Sequence, residues 1–274
     1  MVTPNHDPYQ GDILKTPTPN FPNEKVKNIA NDLYGLTGKL SPLDSERDQN
    51  FRITTETGDQ FVIKIANSAE DPRIIDMQLK ALEHIAKVAP DLPVPKVYLS
   101  KNDMSIEQIR GEDGRIHPVR IITYLPGASP KDDPPEHALF RPLGTCLAKL
   151  ALALRGFFHP VADYELLWDL KHTSKLRQYL SHITDTHHHE LVSYFLDRFD
   201  EHVLPVMPKL RAQILHNDFV PDNILVAEDD PGQIVGIIDF GDLVHTCVII
   251  DLATTIAPML RGYADPVDAN PQKS

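Results

Sequence analysis

The sequence predicts an α+β chain in two unlike parts: an antiparallel sheet with a packed helix, then a mainly helical region holding one short hairpin. Three observations predict it. Up to about Tyr124, short runs rich in Val, Ile, Phe and Thr alternate with turn signals. From Pro135 onward, long helical patterns replace them. Between the last two of these lie two short apolar runs, Ile224-Leu225-Val226 and Gln233 to Ile238, separated by the turn signal Asp229-Asp230-Pro231-Gly232.

The elements follow in order. Residues 1–22, with several Pro, Asn and Asp, are expected as a flexible tail. They carry no basic-then-apolar pattern of a secretory signal. Phe21-Pro22-Asn23 opens a helix, with Val26, Ile29, Ala30 and Leu33 at helical spacing and Gly35 as its stop. Leu40 to Thr55 reads as extended segments around a polar loop. Glu56 to Asp59 is a turn, and Phe61 to Ile65 a strand. Asp71-Pro72 opens a helix to about Ala89, with Ile75, Leu82 and Ile85 on its buried face. Val97 to Leu99, Ser105 to Ile109 and Ile116 to Tyr124 are further strands. Leu125-Pro126-Gly127 marks a boundary, giving parts at 23–125 and 126–263 and a polar tail at 264–274. In the second part, helices are expected over Pro135 to Phe157, Glu190 to Leu204 and Val248 to Leu260.

Composition narrows the partners. The chain has 274 residues, 27 Lys and Arg against 39 Asp and Glu, and a net charge of −12. That balance argues against nucleic acid or an anionic membrane as the main partner. No apolar run is long enough to span a bilayer. Cys146 and Cys247 make neither a disulfide framework nor a metal spacing. A reducing, cytoplasmic setting and a small-molecule partner are expected.

The stretch His216-Asn217-Asp218-Phe219-Val220-Pro221-Asp222-Asn223 reads H-x-D-x-x-x-x-N, and the hairpin after it ends in Asp239-Phe240-Gly241. Phosphoryl transfer from a nucleotide needs these groups. One carboxylate sits beside the attacking hydroxyl, here Asp218. An amide oxygen and a second carboxylate, Asn223 and Asp239, hold Mg2+ on the phosphates of ATP or GTP. A hairpin with polar turn caps is the plainer reading, and the Asp–Asn spacing weighs against it. His216 reads as a buried scaffold residue. His187-His188-His189 reads as a solvated helix start, because adjacent helical positions point apart.

The remaining candidates lie upstream. Lys64, between Ile63 and Ile65, is placed where a strand lysine meets nucleotide phosphates. Gln78 falls on the apolar stripe of its helix, a costly place for a polar group without a partner. A Glu there would pair with Lys64; Gln can accept from it without neutralising it. Glu70 and Glu83 are alternative partners. Ser41 to Phe51 occupies the place of a glycine-rich phosphate loop and contains no glycine.

Together with Leu33-Tyr34-Gly35-Leu36, Asp48 to Phe51, Phe61 to Ile65 and Tyr124 to Gly127, these motifs resemble the aminoglycoside phosphotransferase/choline kinase superfamily of small-molecule kinases, in particular its hydroxylysine kinase-like branch. The resemblance covers about Asn23 to Leu260. It implies a bilobal protein-kinase-like fold, with Asp218 as base, Asn223 and Asp239 as metal ligands, and Lys64 and Gln78 at the nucleotide. It also implies a hinge at Ile121 to Tyr124, with Ile122 and Tyr124 meeting the purine, and Asp251 as a buttress of the catalytic loop. The branch implies transfer from GTP or ATP to the hydroxyl of an amine-bearing acceptor of hydroxylysine type, which Asp242 could attract. An aminoglycoside, choline-like alcohol or sugar is the alternative acceptor. Superfamily members continue past the equivalent of Tyr263 with more helices, so a truncated C-lobe is expected. That keeps a nucleotide-binding pseudokinase or interaction module as a reading from another class.

Overall fold

The computed structural model of the protein describes residues 16–130, 137–166 and 168–260. Helix α1 (Asn23–Tyr34) buries Val26, Ile29, Ala30 and Tyr34 and ends at Gly35, whose φ of 71° suits a residue without Cβ. Strands β1 (Gly38–Leu43), β2 (Gln49–Thr55) and β3 (Gln60–Ile65) form a meander. Helix α2 (Pro72–Val88) follows. Asp71 caps it by accepting from the Arg73 N–H, and Pro72 occupies the first turn. Strands β4 (Val97–Tyr98), β5 (Glu107–Arg110) and β6 (Ile116–Thr123) complete an antiparallel sheet of order β1-β2-β3-β6-β4, with β5 beside β6.

Strand alternation gives this sheet two unlike faces. Ile53, Ile63, Ile65, Val119 and Ile121 pack against α1. The other face turns Lys64 and Ile122 toward α2, where Ile122 meets Ile75 and Leu79. The first lobe is thus a sheet between two helices. Residues 16–22, expected as tail, are docked on it: Phe21 is buried and its N–H donates to Gln49 Oε1 at 2.7 Å, while Asn67 donates to the Thr16 carbonyl at 3.1 Å. Apolar burial of one aromatic ring, invisible to a count of Pro and Asn, ties this segment down.

The second lobe begins with α3 (His137–Leu154) and α4 (Thr186–Arg198). Helix α4 starts four residues ahead of its apolar pattern because the Asp185 carboxylate caps the His188 N–H at 2.8 Å. His187 and His188 lie exposed in its first turn. A 3-10 stretch over Leu170–His182 was not expected, and it buries none of its residues. Strands β7 (Ala212–Leu215), β8 (Ile224–Val226), β9 (Ile234–Ile237) and β10 (Val244–Cys247) form two antiparallel pairs, β7 with β10 and β8 with β9, before α5 (Val248–Met259). The β7–β10 pair joins segments about 30 residues apart, a partnership that local patterns do not reveal. Cys146 and Cys247 are buried free thiols. The expected tail at 264–274 and the predicted helix start at Pro135 lie outside the described residues.

One apolar core spans both lobes. Ile74, Met77 and Ile85 of α2 share it with Leu143 and Leu150 of α3, Phe219 of the catalytic loop, and Ile224 and Ile237 of the hairpin. This mounts the polar loops of the hairpin against α2 and sets the cleft between the lobes.

Candidate active site

The loop from His216 to Asn223 is built on a buried ring. His216 is fully buried, with its ring edge-on to Phe240 at 4.8 Å and to Phe219 at 5.9 Å. Its Nε2 donates to the Ile238 carbonyl at 3.0 Å. Burial lowers its pKa, so it stands as a neutral strut between loop and hairpin. Asn217 then adopts a left-handed φ of 65°. Such a conformation costs energy in a non-glycine residue and needs support. Helix α5 supplies it: Asp251 Oδ1 accepts from the Asn217 N–H at 2.7 Å, and the Thr255 hydroxyl donates to the Phe219 carbonyl at 2.7 Å.

With its neighbours pinned, Asp218 projects into the cleft. Burial raises its pKa, and the like charge of Asp239 adds to the rise. Asn223 Nδ2 donates to Asp218 Oδ2 at 2.6 Å and to the Asp218 carbonyl at 3.0 Å. Both bonds of that amide nitrogen go to Asp218, which leaves its oxygen open to the cleft. Asp239 sits at the hairpin's end with φ 57°, its carboxylate accepting from the Gly241 N–H at 3.3 Å. Lys64 is the main cause of its lowered pKa, so Asp239 stays ionised. An ionised carboxylate beside a free amide oxygen fits a hard divalent cation. Among the described residues no group of three His, Cys, Asp or Glu converges. A cation here would therefore complete its shell with phosphate and water oxygens, as Mg2+ does.

The cleft measures about 870 Å³ and holds Asp218, Asn223, Asp239, Lys64 and Gln78 together. Gln78 does not pair with Lys64. Its Nε2 donates to the Gly241 carbonyl at 3.2 Å and its Oε1 accepts from Arg120 at 3.3 Å. The charge of Lys64 falls on Asp239 instead. The loop between β1 and β2 roofs the cleft without glycine. From it Arg47 crosses to Asp242 at 3.2 Å and lies over the Trp168 ring at 5.4 Å, while Trp168 Nε1 donates to the other Asp242 oxygen at 2.7 Å. Asp242, the expected attractor of an ammonium, thus has both oxygens engaged within the protein. Burial raises its pKa and Arg47 opposes the rise.

Ile122 and Tyr124 are not brought to this cluster. Ile122 pairs with Val62 and Val97 in the sheet. The Tyr124 N–H donates to the Gln60 carbonyl at 3.0 Å, and Arg52 lies over its ring at 5.1 Å. Sequence reasoning missed Arg120, Asp48 and Trp168, all of which line the cleft. Arg120 carried one signal, a charged residue inside the apolar run Val119 to Ile122.

Asp251 yields a test of the buttress. Burial pushes its carboxyl up to about 7, against roughly 3.9 in an unfolded chain. The folded state therefore holds the extra proton between these values, and this contribution to stability is lost as pH rises through about 7. Asp251→Asn is expected to keep the bond to Asn217 and flatten the fall in melting temperature between pH 5 and 8. Asp251→Ala leaves the Asn217 N–H unpaired and is expected to cost about 1–3 kcal/mol. Melting curves at both pH values check each; equal slopes for wild type and Asp251→Asn would contradict the titration.

The pattern of the phosphotransferase enzyme family matches residues 39–271. Hydroxylysine kinase of Danio rerio is 30% identical over 93% of this chain and 74% of its own length. Hydroxylysine kinase of Mus musculus is 28% identical over 91% and 72%. An amicoumacin kinase solved with AMP-PNP, Ca2+ and Ami superposes with a TM-score of 0.68 at 19% identity, over 89% of this chain and 72% of that one. This last likeness concerns the fold. No helix among the described residues is long and apolar enough to cross a membrane.

Proposed function

Because the chain belongs to the phosphotransferase enzyme family, and so transfers a phosphoryl group to a hydroxyl, we propose that it moves the γ-phosphoryl of ATP or GTP, held with Mg2+, to a hydroxyl of a small amine-bearing acceptor of hydroxylysine type. The observation that carries the reading is the convergence of Asp218, Asn223, Asp239 and Lys64 in one cleft. The kinship with hydroxylysine kinases supports the acceptor class. So does the charge of the cleft, where eight acidic side chains face three cationic ones. A cavity with that excess favours cations: the metal, and an acceptor ammonium. Asp222, exposed on the same loop as Asp218, carries one of the carboxylates free to face that ammonium.

Each residue has a role in this reading. Asp218 orients the acceptor hydroxyl and takes its proton as the phosphoryl group leaves the donor. The pKa raised by burial brings it closer to that task. Asn223 fixes the Asp218 carboxylate by hydrogen bond and offers its oxygen to the metal. Asp239, kept ionised by Lys64, is the second metal ligand. Bound Mg2+ would neutralise charge developing on the phosphate oxygens. Lys64 reaches the phosphates from the sheet, and Gln78 holds the Asp239 turn against α2. Ile122 and Tyr124, at and just past the end of β6, would meet the purine outside that cluster. The rate comes from positioning and fixed charges.

Nucleoside diphosphate release tests this directly. ATP and GTP, each with Mg2+, would be offered with 5-hydroxylysine, other amino alcohols, aminoglycosides and sugars. Turnover dependent on 5-hydroxylysine or a related amino alcohol is the expected result. Turnover with neutral sugars alone would refute the amine-bearing acceptor. Binding of nucleotide with no turnover on any acceptor would favour a pseudokinase.

A further inference from the structure

Arg120 on β6 stands directly opposite Lys64 on β3, and Asn50 on β2 stands opposite Lys64 from the other side. The three form one row across neighbouring strands, and all three line the cleft. Like charges directly opposite each other in a sheet repel. Here the repulsion is sharpened by depth, because Arg120 is only 5% exposed. A guanidinium that deep needs close, complete hydrogen bonding.

Its bonding is neither close nor complete. Nη2 reaches Asp48 Oδ2 at 3.4 Å and Gln78 Oε1 at 3.3 Å, both long for charge-assisted bonds. Nη1 has no partner among the described residues. Gln78, on α2 where a carboxylate would cancel a cation, is neutral. Glu70 also lines the cleft, but burial pushes its carboxyl up to about 7, so it neutralises incompletely. Arg120 and Lys64 stand side by side in the cleft wall, met by the carboxylates of Asp48 and Asp239, and Nη1 of Arg120 is left without a partner among the described residues. That arrangement suits a multiply charged anion with several oxygens.

We propose that Arg120 is a second phosphate-binding residue of the donor site, receiving an oxygen of the nucleotide's phosphate chain on Nη1 while Nη2 stays on Asp48 and Gln78. The proposal rests on the nucleotide-donor reading above. It accounts for two features together. The β1–β2 loop lacks the glycines of a backbone phosphate cradle, and Arg120 supplies the missing donors from the sheet. Gln78 is uncharged, so it cancels none of the charge of Arg120, and Nη1 stays open to a phosphate oxygen.

The test compares nucleotides that carry phosphates with nucleosides that do not. Affinities of ADP and GDP with Mg2+, and of adenosine and guanosine, would be measured by calorimetry for the wild type, Arg120→Met and Arg120→Lys. For Arg120→Met, diphosphate affinity is expected to fall about tenfold or more, the range of one lost charge-assisted bond, with nucleoside affinity unchanged. In turnover, the KM for donor rises while that for acceptor stays. Unchanged diphosphate affinity, or an equal loss for nucleoside and diphosphate, would overturn the role of Arg120. If Arg120→Met does not fold, Arg120→Lys carries the test. It keeps the charge and loses the fork, so diphosphate binding should weaken severalfold while the nucleoside is unaffected; equal affinity to wild type refutes the proposal. A wild type that binds neither diphosphate sinks the donor reading itself, and Arg120's role with it.

Discussion

Asp218→Asn is expected to lower acceptor-dependent turnover by about 10²–10⁴-fold, the usual contribution of a positioned acid or base, while the chain stays folded. The substitution keeps the shape of the side chain and removes its negative charge and its ability to take a proton. Folding should not suffer, because the ionised carboxylate is already disfavoured where it sits. Burial and the neighbouring charge of Asp239 both raise its pKa, and the chief compensation is the bond from Asn223. Its melting temperature should equal or exceed that of the wild type. The acid limb of the wild-type pH–rate profile should reflect the same group. Protonated Asp218 cannot accept the acceptor's proton, so turnover falls as pH drops, and it does so above the ordinary carboxylate range. Diphosphate release over a pH series, beside melting curves, reads both. Turnover within about tenfold of wild type would remove Asp218 from the role of base.

The second large effect is expected from Asp239→Asn. Lys64 lowers the pKa of Asp239, and the Gly241 N–H bonds to its carboxylate. The amide keeps the bond to Gly241 and loses the charge. Two consequences follow. The cation site drops to two neutral oxygens, which hold Mg2+ poorly without a carboxylate. Lys64 loses its counter-charge at the same time. Turnover should fall at least about 100-fold. Added Mg2+ and nucleotide, which stabilise the wild type by mass action, should no longer raise the melting temperature. Because Asp239 is held ionised below the ordinary range, the wild-type response to Mg2+ should persist as pH falls until that depressed pKa is reached. A metal-dependent rise in melting temperature that survives in Asp239→Asn would show that the cation is held elsewhere.

These two residues are legible in the sequence because their signals are local. The spacing from Asp218 to Asn223 and the turn before Asp239 are read along the chain. So are the helix limits at Gly35 and Asp71, where a left-handed stop and a side-chain cap act within a few residues. The capping carboxylate of Asp185 is just as local, and it outranks the apolar period that placed the start of α4 at Glu190. Lys64 is legible by its position in a strand, though its neighbour is not. A helix position opposite the sheet suggests Gln78, and three-dimensional packing sends that amide to Arg120 and Gly241 instead.

By itself the sequence determined the order of sheet, helix and hairpin, and where Asp218, Asn223 and Asp239 fall along it, because hydrogen bonds within a turn and the periods of helix and strand depend on near neighbours. Only the tertiary structure decided what lies across the cleft. Strand register set Arg120 opposite Lys64, and the shared core of α2, α3 and the hairpin set the facing of the lobes. The contact of Arg47 with Asp242 joins residues 195 positions apart. Such pairings are fixed by burial of apolar surface that is distant along the chain, and electrostatic partners follow wherever that burial brings them.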